Sequence, residues 1–328
     1  MTGTRDLRPP FTNTLSLAML CFALLGPPAA RAAPYSAKGA GFLVRFGEEI
    51  TAYRAMAAFV MPRDTLSIEA IGAADARYDL GSSGGWTTRT GPAAWSWVAP
   101  SRPGLYAVDV VQTAPRDSIR LNVFVMVPYD SLQGEHLQGY RIGTYPAVPL
   151  RGEEIYRHPR GFVEVTEENE ETLVSPHFRL KQFVAKQPAG YPRYVVLQER
   201  FLSMLELVLE RVNAAGHAAE TLHVMSGYRT PYYNSLIDNV PYSRHQWGDA
   251  ADIFVDSQPE NGVMDDLDGD GRSDFRDALA LYGIIEAIQA QPIYRTYIGG
   301  LSPYPGNRAH GPFVHVDTRG KPARWGEE

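Results

Sequence analysis

From about Tyr35 to Val127 apolar and polar residues alternate in short runs broken by Gly, Pro, Asp and Ser, and no stretch holds a helical period for three turns. Runs such as 64–71, 95–98, 104–111 and 119–127 have the period-two spacing of half-buried strands, with Pro103 and Gly104 marking a turn between two of them. Beyond residue 172 the pattern changes. Leu202, Leu205, Val208, Leu209 and Val212 recur at the i, i+3, i+4 spacing of an amphipathic helix over about 195–214, and Gly216 is placed to end it. Strands are predicted at 221–225, 251–255 and 313–317, with a second helix at about 276–289. The expected class is α+β: an antiparallel sheet with packed helices over 173–328, preceded by a small all-β sandwich over 34–128. Residues 129–172 mix Gly, Pro, Tyr and charge, end in the acidic run Glu164 to Glu171, and read as a linker able to pack on both domains.

The first 33 residues read as a secretory signal, not as part of the fold. Arg5 and Arg8 precede a short apolar run, Leu15 to Leu25, and Ala30, Arg31 and Ala32 supply a small-x-small cleavage pattern. Cys21, the one cysteine of the chain, lies inside this segment after Leu20 and not after the small residue of a lipid-attachment signal. The expectation is an exported, soluble product, periplasmic or extracellular, without disulfides, in which nitrogen and oxygen atoms must hold any metal. The segment carries three arginines and one aspartate, so the remainder of the 328-residue chain has a net charge of about −8. That balance argues against nucleic acid or an anionic membrane as partner, and no second apolar stretch approaches a membrane span.

Trp86, Trp95 and Trp97 could form a sugar-binding platform, but the period-two spacing of Trp95 and Trp97 puts that pair on one face of a strand. The sequence reading therefore takes the three tryptophans as core anchors of the β domain.

Chemistry concentrates in three segments: Ser226 to Pro231 (SGYRTP) with Asn234, Ser243 to Ile253 (SRHQWGDAADI), and Phe313 to Asp317 (FVHVD). A catalytic zinc needs three protein ligands and an open position, and His245, Asp252 and His315 supply suitable donors. Strand alternation lets Asp252 face a metal while Ile253 and Val255 enter the core, and lets His315 do so between Val314 and Val316. Gly248 and Ala250 would leave room for the metal and substrate.

Together these segments resemble the zinc D-alanyl-D-alanine carboxypeptidases and dipeptidases, with their S-G-Y-R-x-P, S-x-H-x-x-G-x-A-x-D and terminal strand histidine. The resemblance covers about residues 175–320, and the middle segment matches all five fixed positions of ten. It implies a zinc peptidase acting on D-amino-acid peptide bonds in the stem peptides of peptidoglycan, as carboxypeptidase or cross-link endopeptidase. It further implies that Arg229 holds substrate and stabilises developing negative charge, and that Ser243 orients ligand or substrate. One position departs from the pattern: Pro312 stands where related enzymes place the acidic general base. Asp317, on the strand face of His315, and His310, just before that strand, are the candidate replacements. A zinc-bearing wall-binding protein without turnover is the alternative that this departure permits.

A second metal signal is the 12-residue loop Asp266 to Asp277. Acids stand at positions 1, 3, 5, 9 and 12 (Asp266, Asp268, Asp270, Asp274, Asp277), with Gly271 at position 6. That is the calcium-loop arrangement of EF-hands and dockerins, and it predicts a structural Ca2+ clamp ahead of the second helix. A calcium-dependent adhesion module led by the β domain is a third reading. The sequence does not define an oligomeric state.

Overall fold

Alternation of small runs produces the expected strands and then more of them. The computed structural model describes residues 35–257 and 259–326, together with Met1; the rest of the segment read as a secretory signal, Cys21 included, lies outside the described residues. Nine strands form two facing sheets: β1 (Gly39–Phe46), β2 (Glu49–Tyr53), β3 (Ala55–Val60), β4 (Thr65–Ile71), β5 (Tyr78–Ser82), β6 (Trp86–Gly91), β7 (Ala94–Val98), β8 (Gly104–Thr113) and β9 (Arg116–Val125). One sheet runs β2-β1-β4-β7-β6 and the other β3-β9-β8-β5, with β3 and β9 parallel and the remaining neighbours antiparallel. Trp95 and Trp97 are buried against the inner face, the indole N–H of Trp97 donating to Gly84 O at 2.9 Å. Trp86 corrects the expectation, being 73% exposed. It pairs with Val98, one residue out of step with Trp97, and so falls on the outer face of the edge strand β6.

The segment read as a linker is a packed layer. Val127–Pro128, Gly161–Val165 and Arg193–Val195 pair as a small antiparallel sheet that buries Phe162, Val163, Val165, Tyr194 and Val195. Its acidic run is tied down, with Glu164 accepting from the Tyr194 hydroxyl at 3.0 Å and Glu171 meeting Lys181 at 2.5 Å.

The last part is built on a five-stranded sheet, ordered His223–Ser226, Ala250–Phe254, Phe313–Asp317, Gly300–Tyr304, Ala323–Arg324. The first four are antiparallel and the last joins in parallel. Helix α1 (Glu199–Ala214) buries its apolar stripe and ends where Gly216 turns left-handed, as its sequence predicts. A short helix α2 (Pro231–Leu236) starts at Thr230, whose hydroxyl accepts from Tyr233 N at 3.0 Å. Helix α3 (Phe275–Gln289) packs on α1 and on the Gly300–Tyr304 strand. The molecule is thus mixed α+β, mostly strands in several sheets with few helices.

From Tyr35 onward the described residues form one compact unit. Phe59 N donates to Glu199 Oε1 at 2.8 Å, Asn122 Nδ2 to Leu173 O at 2.8 Å, and the His177 ring bridges Glu206 and Ser36 O, tying the sandwich and the chain's first described residues to the helical part. Among the described residues no helix is long and apolar enough to cross a membrane.

Candidate metal centre

The strand register joins two of the proposed ligands. Asp252 and His315 are directly paired across antiparallel neighbours, so both side chains leave the same face, while Ile253, Val314 and Val316 are buried. His245 reaches this face from a single 3-10 turn, Arg244–Trp247, closed by Gly248 at φ 73°. Gly248 is needed for a reason other than room at a metal: a Cβ there would meet Val196 O at 2.2 Å. It lets the turn press on the backbone of Val196 and Leu197, which sets where His245 stands.

His245 Nε2, His315 Nδ1 and Asp252 Oδ1 converge, with separations of 3.1 Å between the rings and 3.2 and 3.0 Å from each ring to the carboxylate. Three ligands at tetrahedral zinc distances would stand about 3.3 Å apart, so these atoms form one face of a tetrahedron before any ion is added. This buried triad could hold a metal ion. Each remaining polar atom of the triad is engaged. His245 Nδ1 donates to Gly227 O at 2.7 Å, leaving the lone pair on Nε2. Asp252 Oδ2 accepts from Arg229, whose Nε donates to Ser226 Oγ at 2.8 Å. His315 Nε2 faces Asp317 Oδ2 at 3.3 Å.

Burial lowers the pKa of His245, with Asp252 opposing. Burial acts to raise Asp252, but His245, His315 and Arg229 override it and hold the carboxyl well below its ordinary range. Burial would lower His315 too, yet its bonds to Asp252 and Asp317 carry it up to about 9. The His315 ring thus lies between two carboxylates, Asp252 at Nδ1 and Asp317 at Nε2.

Asp317 stands behind the His315 ring, away from the converging donors. Its carboxylate accepts from Gly300 N at 2.8 Å, Arg319 N at 3.0 Å and the Arg319 guanidinium. Gly300 permits this approach, since a Cβ there would lie 2.3 Å from Asp317 Oδ2. His310 is not brought to the centre: its Nδ1 donates to Gly311 O at 2.8 Å, its Nε2 accepts from Asn307 at 2.7 Å, and it is not among the cavity-lining residues.

The triad opens on a cavity of about 510 Å³, lined among others by Arg229, Ser243, Tyr304, Phe313 and Trp325. Asn234 shapes its rim by donating to Val240 O at 2.9 Å. Sequence reasoning passed over most of the supporting residues. Arg244 is buried, pairs with Asp249 through two nitrogens, and lies over the rings of both Tyr156 and Trp247. The Tyr145 hydroxyl donates to Gln246 O at 2.8 Å beneath the His245 turn. Arg244 and Asp249 both stand in the middle segment; nothing local announced Tyr145, Arg319 or Trp325.

In the acidic loop, Asp266, Asp268 and Asp270 bring one oxygen each within 4.8 Å of the others, all exposed. Asp266 also accepts from the backbone of Gly269, Asp270 and Gly271, and Gly271 has φ 84°. Asp274 and Asp277 are not in that cluster: Asp274 caps α3, and Asp277 accepts from Leu267, Asp268 and Asp274 backbone groups.

No protein-family model matches this chain, and no curated protein matches it.

Proposed function

We propose that the chain is an exported zinc metallopeptidase of the D-alanyl-D-alanine carboxypeptidase and dipeptidase type, which hydrolyses D-amino-acid peptide bonds in peptidoglycan stem peptides. The observation that carries this reading is the preformed three-atom face of His245, Asp252 and His315, buried at the base of a cavity of about 510 Å³. Two imidazoles and one carboxylate suit zinc, which would displace the His315 proton on binding, and the cavity side leaves room for substrate. Zinc held there would act as a Lewis acid and lower the pKa of bound water to about 7.

The protein's own groups then divide the work. Arg229 fixes Asp252 as a one-oxygen ligand and presents its guanidinium to the cavity, where it can steady negative charge on the substrate carbonyl. Ser243 lines the same wall and is suited to orienting substrate. Asp317, saturated by Arg319 and Gly300, holds the His315 ring in place and is an orienter, not the base. His310 we leave out of the chemistry. The acidic loop we read as a structural Ca2+ clamp at Asp266, Asp268 and Asp270.

One observation favours the second reading, a zinc-bearing wall-binding protein without turnover: Asp252, which lines the cavity, and Asp249 and Asp317, which do not, are each bonded to an arginine. Incubation of the purified protein with isolated wall separates the two. Release of D-alanine or of cleaved muropeptides, abolished by chelator and restored by zinc, supports the peptidase. Zinc binding with no product from any wall substrate supports the binding protein.

A further inference from the structure

The C-terminal strand brings an indole to the edge of the metal site, and the way it is held has a chemical consequence. Ala323–Arg324 pairs in parallel with Gly300–Leu301, which delivers Trp325 beside the His315 ring at 5.2 Å between centroids. Trp325 is fixed from several sides. Its carbonyl accepts from Ser302 Oγ at 2.5 Å, the Arg319 guanidinium lies over its ring at 5.6 Å, and its indole N–H donates to the Tyr304 hydroxyl at 2.6 Å. Tyr304 is itself fixed, stacked on Phe313 at 4.7 Å with the ring planes 8° apart. Ser302 pairs with His315 and Tyr304 with Phe313, so all four side chains leave the metal face of the sheet.

An indole nitrogen can only donate, whereas a phenol both donates and accepts. The bond from Trp325 therefore occupies the acceptor side of the Tyr304 oxygen and turns its own O–H outward as a donor. Tyr304 lines the cavity, and so does Tyr242, but the Tyr242 hydroxyl is spent on Val148 O at 3.0 Å. Arg229, Arg244 and Arg319 each hold a carboxylate. Tyr304 is thus a neutral donor in the cavity wall, oriented by a neighbour and set two residues along the strand from the partner of a metal ligand.

We propose that Tyr304 is a catalytic residue that donates its hydroxyl hydrogen bond to the substrate oxygen on which negative charge develops, and that Trp325 is a positioning residue that fixes the direction of that donor. This rests on the metallopeptidase reading. A donor realised mainly as charge develops acts on turnover more than on substrate affinity, and removal of one such donor costs about 10²–10³-fold.

The test uses the full mature chain loaded with zinc, with two readouts: hydrolysis of a D-alanyl-D-alanine-ended stem peptide, and calorimetric binding of a phosphinic D-alanyl-D-alanine analogue, whose anionic oxygens mimic the charged state. Tyr304→Phe keeps the ring on Phe313. It is expected to retain zinc, to lower kcat about 10²-fold with KM within a few fold, and to weaken the phosphinate in proportion. Trp325→Phe keeps an aromatic ring but loses the N–H, and should weaken the phosphinate relative to substrate by about 10-fold, a ratio that a merely structural role would not move. Unchanged phosphinate affinity in Tyr304→Phe overturns the Tyr304 proposal, whatever happens to hydrolysis. An active parent with an equally active Tyr304→Phe overturns it while leaving the peptidase reading intact. A zinc-loaded parent that neither hydrolyses the peptide nor binds the phosphinate overturns both.

Discussion

Each residue of the triad is held in place by a different part of the chain. His245 depends on Gly227 O, Asp252 on Arg229, and His315 on Asp317 with Arg319 behind it. His245→Ala, Asp252→Ala and His315→Ala should each lose most bound zinc and all hydrolysis, because no cysteine stands among the described residues to replace a ligand. Metal analysis checks this, and full zinc occupancy in any one variant would show that the ligand set is wrong. Asp317→Asn separates orienter from base. The structure encloses this carboxylate with donors behind the ring, so the amide should weaken zinc affinity about 10–100-fold and leave turnover recoverable at high zinc. Retained zinc with a loss of about 10²–10⁴-fold in turnover would instead return the base role to Asp317.

At the scale of elements, strand Phe313–Asp317 and helices α1 and α3 appear within a few residues of their predicted bounds because their apolar periods are strong. Gly300–Tyr304 was hidden by Gly300 and by Pro303, which argues against a strand when read locally. The structure tolerates Pro303 because the parallel partner is already finished: its pairing covers only Gly300 and Leu301. His245, Asp252 and His315 were legible because they stand at the fixed positions of the motif segments 243–253 and 313–317; Trp325 and Tyr304 were not, because their meaning arises only when the strand Ala323–Arg324 joins the sheet. The acidic loop was legible in its residues but not in their division of labour. Asp274 and Asp277 serve the start of α3, and Asp266, Asp268 and Asp270 remain for a cation. A cation there would bind the folded state alone, so millimolar calcium should raise the melting temperature of the parent and not of Asp266→Ala or Asp270→Ala. Calorimetric scans with and without calcium decide this, and a parent that melts at one temperature in both removes the clamp.

At the scale of the whole molecule, the sandwich and the metal-site half meet through an edge. β3 is the outermost strand of its sheet, and the N–H of Phe59, which would otherwise face outward unpaired, donates to Glu199 in the first turn of α1. That contact is one of several that tie the two halves together, and it carries a pH signature. Burial raises the Glu199 carboxyl from 4.5 to about 7, although the Phe59 N–H and the helix start oppose it. In the unfolded chain the group returns to its ordinary value, so between about 4.5 and 7 the folded state binds more protons than the unfolded one. The resulting stability is fully present at pH 4.5 and below and is lost as pH rises through 7, by at most about 3 kcal/mol. Glu199→Gln keeps an oxygen for Phe59 and carries no charge, so it should gain on the parent as pH rises, and most of that gain should fall between pH 5 and 8. Denaturant unfolding of both proteins at the two pH values measures it. A parent-to-variant difference that is the same at pH 5 and pH 8 would mean that Glu199 is not held in its protonated form, and that the sandwich contact is made by a carboxylate at no titrational cost.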